Sequence, residues 1–300
     1  MIISDESKKM VIFVTEKIIH FNNVHICTES FGDINNPTIL LIMGATASMI
    51  YWEEDFCKRL SNQGFHVIRY DNRDTGKSVT YEYGHPEYTF ENLADDAIEV
   101  LDAYKVDKAH IVGMSMGGII TQIIALKHPD RVLTISLIMT SNFDSNLPKK
   151  DSKVTEALGK LKIKNWQDKD EVIECFIKKS KVLVGSKNIF DEEKIRRLNE
   201  EEFDRASNLQ SMENHGFIRG WDLYLSRISE INAPTFVIHG TEDPIIPYEH
   251  GVYLSEIIPN AVLVTLEGAG HELHYNDWNK IINAISKRAS SLQLKFEKSF

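Results

Sequence analysis

The 300 residues are 42% hydrophobic and 26% charged, ordinary values for a soluble globular chain with one large core and an elaboration on it. The formal charge of -10 is spread without a charged tail, and the richest basic stretch, Lys178 to Lys187, is broken by Val182, Leu183 and Val184, so no nucleic-acid partner is expected. Cys27, Cys57 and Cys175 have no disulfide or zinc spacing, Met10 to Val14 is too short for a secretory segment, and no run reaches the ~20 apolar residues of a bilayer span; a reducing, cytoplasmic location without a membrane partner is expected.

Lys17 to Phe21 and Val24 to Phe31, joined across Asn22 and Asn23, read as an opening hairpin. Thr38 to Met43 is a continuous apolar run, as a strand buried on both faces requires. Trp52 to Asn62 predicts a helix, Phe65 to Tyr70 a strand, and Asn92 to Tyr104 a helix with Leu93, Ala97, Val100 and Leu101 on one face. His110 to Met114 is again a strand, Met116 to His128 a helix with Pro129 past its end, and Leu133 to Thr140 a strand.

From about Asn142 to Asn232 the strand signal disappears, and the chain turns charged and helix-favouring, with Trp166, Phe176, Phe190, Phe203, Phe217, Trp221 and Tyr224 spaced along it. Alternation resumes with strand Thr235 to His239, helix Tyr248 to Ile257, strand Val262 to Leu266 and a final helix from about Asp277 to Ala289. Recurring strand and helix predict an α/β fold, a mostly parallel sheet flanked by helices. The division is a core over 1–141, a helical insertion over 142–232, and the rest of the core over 233–300.

The sharpest signal is Gly113-Met114-Ser115-Met116-Gly117, between an apolar strand and the helical run Ile119, Ile120, Ile123 and Ile124. A nucleophile on a tight strand-to-helix turn has strained backbone angles, and glycines two residues to either side let strand and helix approach. The helix then aims its free N–H groups at charge forming near Ser115. A serine hydroxyl needs a base to take its proton and a third group to orient that base. For a nucleophile in this setting the acid and the histidine follow in that order, each at the carboxyl end of a strand. Gly240-Thr241-Glu242-Asp243-Pro244 and Glu267-Gly268-Ala269-Gly270-His271 occupy those places. Asp243 is preferred to Glu242 because Pro244 would fix its loop.

Donors for an oxyanion are expected from the backbone N–H of Met116 and of Ala45, in the loop leaving the strand Thr38 to Met43. His271-Glu272-Leu273-His274 does not reproduce the H-E-x-x-H metal pattern, and neither a metal nor a cofactor is expected. Gly76-Lys77-Ser78 resembles the end of a phosphate loop, but Asp71 stands where that pattern requires glycine, so the segment reads as a structured turn.

With these motifs in order, and with Arg69 to Ser78 and Gly113 to Gly118 beside them, the chain resembles the α/β-hydrolase superfamily. Within it the likeness is to the aclacinomycin methylesterase-like and cofactor-free haloperoxidase-like esterases. The resemblance implies an eight-stranded, mostly parallel sheet. It also implies Ser115, Asp243 and His271 as a triad, Ala45 with Met116 as the oxyanion hole, and Asn142 to Asn232 as a cap. Many relatives carry His-Gly where this chain has Met43-Gly44. The expected activity is hydrolysis of a small or medium, partly apolar carboxylic ester. Two alternatives are perhydrolase or haloperoxidase chemistry on the same triad, and a ligand sensor on the same scaffold.

Overall fold

A computed structural model describes residues 16 to 297, so the run Met10 to Val14 lies outside the described residues. The chain opens with β1 (Lys17–Phe21) and β2 (Val24–Phe31), paired antiparallel across Asn22 and Asn23. Both asparagines have positive φ, 44° and 63°, as a two-residue hairpin turn demands and as asparagine tolerates. Next come β3 (Thr38–Ile42), α1 (Glu54–Ser61), β4 (His66–Tyr70), α2 (Phe90–Ala103), β5 (Ala109–Met114), α3 (Met116–Lys127) and β6 (Val132–Ile138). The long segment after β6 holds α4 (Ser152–Lys160), α5 (Lys169–Leu183), α6 (Glu192–Arg205), a 3-10 turn at Leu209–Gly216 and α7 (Asp222–Leu225). The chain then runs through β7 (Thr235–Gly240), α8 (Tyr248–Ile257), β8 (Val262–Leu266) and α9 (Trp278–Glu297).

The eight strands of the described residues form one sheet in the order β1-β2-β4-β3-β5-β6-β7-β8. β2 pairs antiparallel with both neighbours, and every pairing from β4 to β8 is parallel. This is the eight-stranded, mostly parallel arrangement expected above. Strand order reverses at β3, with β4 on one side and β5 on the other. Such a switch leaves a crevice outside the carboxyl ends of the two central strands, where α/β sheets bind ligands.

The sheet is covered on both faces, which explains why β3 is buried at every position and apolar from Ile39 to Ile42. Leu40 and Ile42 pack with Leu93, Ala97, Ile120 and Ile124 of α2 and α3. Ile39 and Leu41 point the opposite way, to Phe56 and Leu60 of α1 and Ile281 and Ile285 of α9. The two-residue period of a strand divides one apolar run between two cores.

Element boundaries differ from the sequence reading by a few residues, for local reasons. α2 begins at Phe90 rather than Asn92 because Thr89 caps it: its hydroxyl accepts from the Asn92 N–H, and the Asn92 side chain accepts from the Thr89 N–H at 2.9 Å. Trp52 is not helical; it follows a 3-10 turn at Met49–Tyr51 and is fully buried. α9 continues to Glu297. Among the described residues no helix is long and apolar enough to cross a membrane.

Candidate active site

Ser115 stands between β5 and α3 with φ 51° and ψ -117°, a conformation that costs a non-glycine residue on the order of 1–3 kcal/mol unless its surroundings enforce it. They do so here. The Ser115 N–H donates to the Ile138 carbonyl at 2.9 Å, and the Ser115 carbonyl accepts from the Thr140 hydroxyl at 2.7 Å and the Gly118 N–H at 2.9 Å. A Cβ on Gly113 would lie 2.1 Å from the Gly117 carbonyl oxygen, and one on Gly117 would lie 2.1 Å from that of Ile42. Both glycines are therefore demanded by contact, and Gly117 seats α3 directly on β3. Met116 is the first residue of α3, where an N–H has no partner within the helix.

The loop after β3 comes up beside this turn, where a Cβ on Gly44 would lie 3.3 Å from Ser115 Cβ. Ala45, Ser115 and Met116 share the wall of a cavity of about 600 Å³ at the carboxyl edge of the sheet. Much of the remaining lining is apolar, including Phe90, Ile119, Phe143, Ile218, Trp221 and Ile246.

Asp243 and His271 meet across the loops that follow β7 and β8. His271 Nδ1–H donates to Asp243 Oδ2 at 2.7 Å, while Asp243 Oδ1 accepts from the N–H groups of Ile245 and Ile246 at 2.9 and 2.8 Å. Burial opposes charge on Asp243, but His271 and His239 outweigh it and hold the carboxyl well below the ordinary carboxylate range. Glu242, beside it, is committed elsewhere, accepting from the Ser186 N–H and hydroxyl at 2.7 Å each. No hydrogen bond joins Ser115 to His271 among the described residues; such contacts often tighten only when substrate is bound.

The insertion reaches this site in ways that had no signal in the sequence. The end of α5 braces the histidine loop: the His271 N–H donates to the Leu183 carbonyl at 2.8 Å, and Gly185 passes so close to Gly268 that a Cβ would lie 2.2 Å from its carbonyl oxygen. His215 lines the cavity beside Ala45. Among the seven aromatics singled out in the insertion, Trp221 lines the cavity. Trp166, Phe176 and Phe203 pack in a separate small core with Val172, Leu209 and Met212. Phe143, not among the seven, lines the cavity and packs against Trp221, with ring centroids 5.3 Å apart and the planes tilted by 55°.

Beneath the insertion a second polar cluster surrounds Asp71. Arg205, at the end of α6, donates to both Asp71 carboxylate oxygens at 3.0 and 2.7 Å, and the N–H groups of Met49 and Lys77 donate to them at 2.8 and 2.9 Å. A Cβ on Gly76 would strike both Asp71 and Arg205, so Gly76 to Ser78 is a turn wrapped on an ion pair.

Comparison with known proteins places these features in a family context. A family model described as alpha/beta hydrolase fold matches residues 37 to 277. Rhodomycin D methylesterase DauP of Streptomyces sp. (strain C5) is 32% identical over 280 residues, covering 86% of this chain and 92% of that protein. Rhodomycin D methylesterase DnrP of Streptomyces peucetius is 31% identical over 280 residues, with the same coverage of 86% and 92%. Among solved structures, a meta-cleavage product hydrolase from Pseudomonas fluorescens matches with a TM-score of 0.74 at 19% identity, over 92% of this chain and 98% of that one.

Proposed function

Since this chain belongs to the alpha/beta hydrolase fold family, we propose that it is a serine hydrolase that cleaves a carboxylic ester through an acyl-enzyme on Ser115. The observation that carries this reading is the Asp243–His271 hydrogen bond of 2.7 Å, on loops at the same carboxyl edge as the strained Ser115 turn. That bond leaves His271 Nε2 as the basic nitrogen, the tautomer a general base needs.

In the proposed reaction His271 Nε2 takes the Ser115 proton as Oγ attacks the ester carbonyl. The N–H groups of Ala45 and Met116 hold the developing oxyanion, each contributing about 3 kcal/mol. The alcohol leaves with the proton from His271. Water activated by the same imidazole then attacks the acyl carbon and releases the acid. The apolar wall of Phe90, Phe143 and Trp221 suits a partly apolar substrate, and the two Streptomyces relatives named methylesterases support a methyl ester. Residues 142–232 act in this reading as a cap, because Phe143, His215, Ile218 and Trp221 reach the cavity that holds Ser115.

A fluorophosphonate probe tests the assignment. It should label Ser115, and Ser115→Ala should abolish both labelling and hydrolysis of methyl and p-nitrophenyl esters while circular dichroism stays unchanged. Label on another serine, or hydrolysis by the alanine variant, would sink the reading.

A further inference from the structure

His215 is buried, at 6% exposure, and lies in the insertion's 3-10 turn Leu209–Gly216. Its ring joins two loops of the core. The Thr46 N–H lies 3.0 Å from Nδ1, and the Arg73 carbonyl oxygen lies 2.8 Å from Nε2. An amide N–H can only donate and a carbonyl can only accept, so Nδ1 must accept and Nε2 must carry the proton. The neutral ring has one tautomer that satisfies both partners, and the imidazolium satisfies only one. With both nitrogens engaged, His215 has no lone pair left to serve as a base, although it lines the same cavity as Ser115.

What the ring holds matters more than that it is held. Thr46 has φ 57°, a left-handed conformation that a β-branched residue rarely adopts without outside support. It directly follows Ala45, the second oxyanion donor of the proposed reaction. The loop is fixed before this point by Asn72 Nδ2, which donates to the Met43 carbonyl at 3.2 Å, and after it by the Met49 N–H, which donates to Asp71 at 2.8 Å. Between those anchors the Ala45–Thr46 peptide plane is held by His215.

We propose that His215 is a positioning residue for the oxyanion hole: from the insertion, its neutral ring fixes the Ala45–Thr46 peptide plane and so keeps the Ala45 N–H presented to Ser115. The proposal rests on the assignment of Ser115 and Ala45 above. The insertion and the hole thereby become one mechanical unit. The turn carrying His215 is itself seated on the core by Ser211, which donates to the Asp74 carbonyl at 3.0 Å. Asn214 adds to this, donating to the Asp74 carboxylate at 3.1 Å and accepting from the Gly84 N–H at 2.7 Å. Burial pushes the His215 imidazole below its ordinary range against the opposing pull of Arg73 and Asp74, in keeping with a ring that works uncharged.

The test compares His215→Leu, which removes the acceptor, with His215→Asn, whose Oδ1 replaces Nδ1. Kinetics on p-nitrophenyl acetate and the affinity of a trifluoromethyl ketone, whose hemiketal oxyanion occupies the hole, are measured for both. The leucine variant should lose about 10²- to 10³-fold in kcat and in ketone affinity together, with KM moving less than threefold. Asparagine should recover most of both. If the leucine variant does not fold, His215→Ala with and without added imidazole makes the same comparison, and imidazole should restore kcat. A leucine variant with unchanged kcat and ketone affinity, or one altered in KM alone, overturns the proposal while Ser115→Ala remains inactive. An active Ser115→Ala would instead remove the assignment on which the proposal stands.

Discussion

Two buried carboxyl groups, Asp243 beside His271 and Glu202 on α6, occupy equally dry places and behave in opposite ways. Asp243 accepts from two backbone N–H groups and from His271, and its carboxyl stays well below the ordinary range. Glu202 is fully buried with one partner, the Ser48 hydroxyl on Oε2, while Oε1 has none among the described residues. Burial, with nearby Asp71 adding to it against the Ser48 hydrogen bond, pushes the Glu202 carboxyl up to about 7. Burial alone therefore does not decide ionisation. Donors and the charge of the neighbours weigh against it, and the balance differs from site to site.

The largest effect that tests this contrast is at Asp243. Asp243→Asn should leave the loop in place yet lower kcat by about 10⁴, because the amide can donate to His271 and favour the wrong tautomer. Glu242→Gln, one residue away, should retain most activity, since that carboxylate serves Ser186. Steady-state kinetics on the two variants decide it, and the reverse ranking would reassign the acid.

Next in size is the ion pair that holds Asp71. Asp71 is also surrounded by donors, one of them a guanidinium carried by the insertion, yet burial outweighs them and raises its carboxyl above the ordinary range. Arg205→Met should destabilise the protein by about 3–5 kcal/mol in urea unfolding, because it strands a buried carboxylate rather than removing a pair. A loss below 1 kcal/mol would show that the neighbouring N–H groups suffice.

The smallest effect has a sign fixed by linkage. The Glu202 carboxyl is raised from 4.5 to about 7 in the folded protein, so the stability it allows is fully present below pH 4.5 and is lost as pH rises toward 7. The total is roughly 3 kcal/mol. Glu202→Gln should therefore gain stability over the parent between pH 5 and pH 8, measured by urea unfolding at both. Asp243 works in the other direction, contributing stability above the ordinary carboxylate range that fades as pH falls. A Glu202→Gln difference that does not change with pH would mean that this carboxyl is ionised at both.

The aromatic residues of the insertion show the limit of composition as a guide. Seven of them stand along it in the sequence; Trp221 lines the cavity, while Trp166, Phe176 and Phe203 fill a core of their own. Amphipathic helices state that a face is buried and do not state against what.

The strand and helix alternation, the Ser115 turn and the two loops carrying Asp243 and His271 were legible in the chain alone, because each is written in neighbouring residues. Strand and helix periods are local, and the glycines of the elbow stand two residues from the serine they serve. Tertiary structure alone decided which residues hold that machinery in place. His215 meets Thr46 across 169 residues of sequence, and Arg205 meets Asp71 across 134. Gly185 is placed by a close backbone contact with the histidine loop. Such contacts need only a donor, an acceptor or a missing side chain at the right point in space. No spacing along the chain announces them, because they exist only where the insertion lies against the sheet's carboxyl edge.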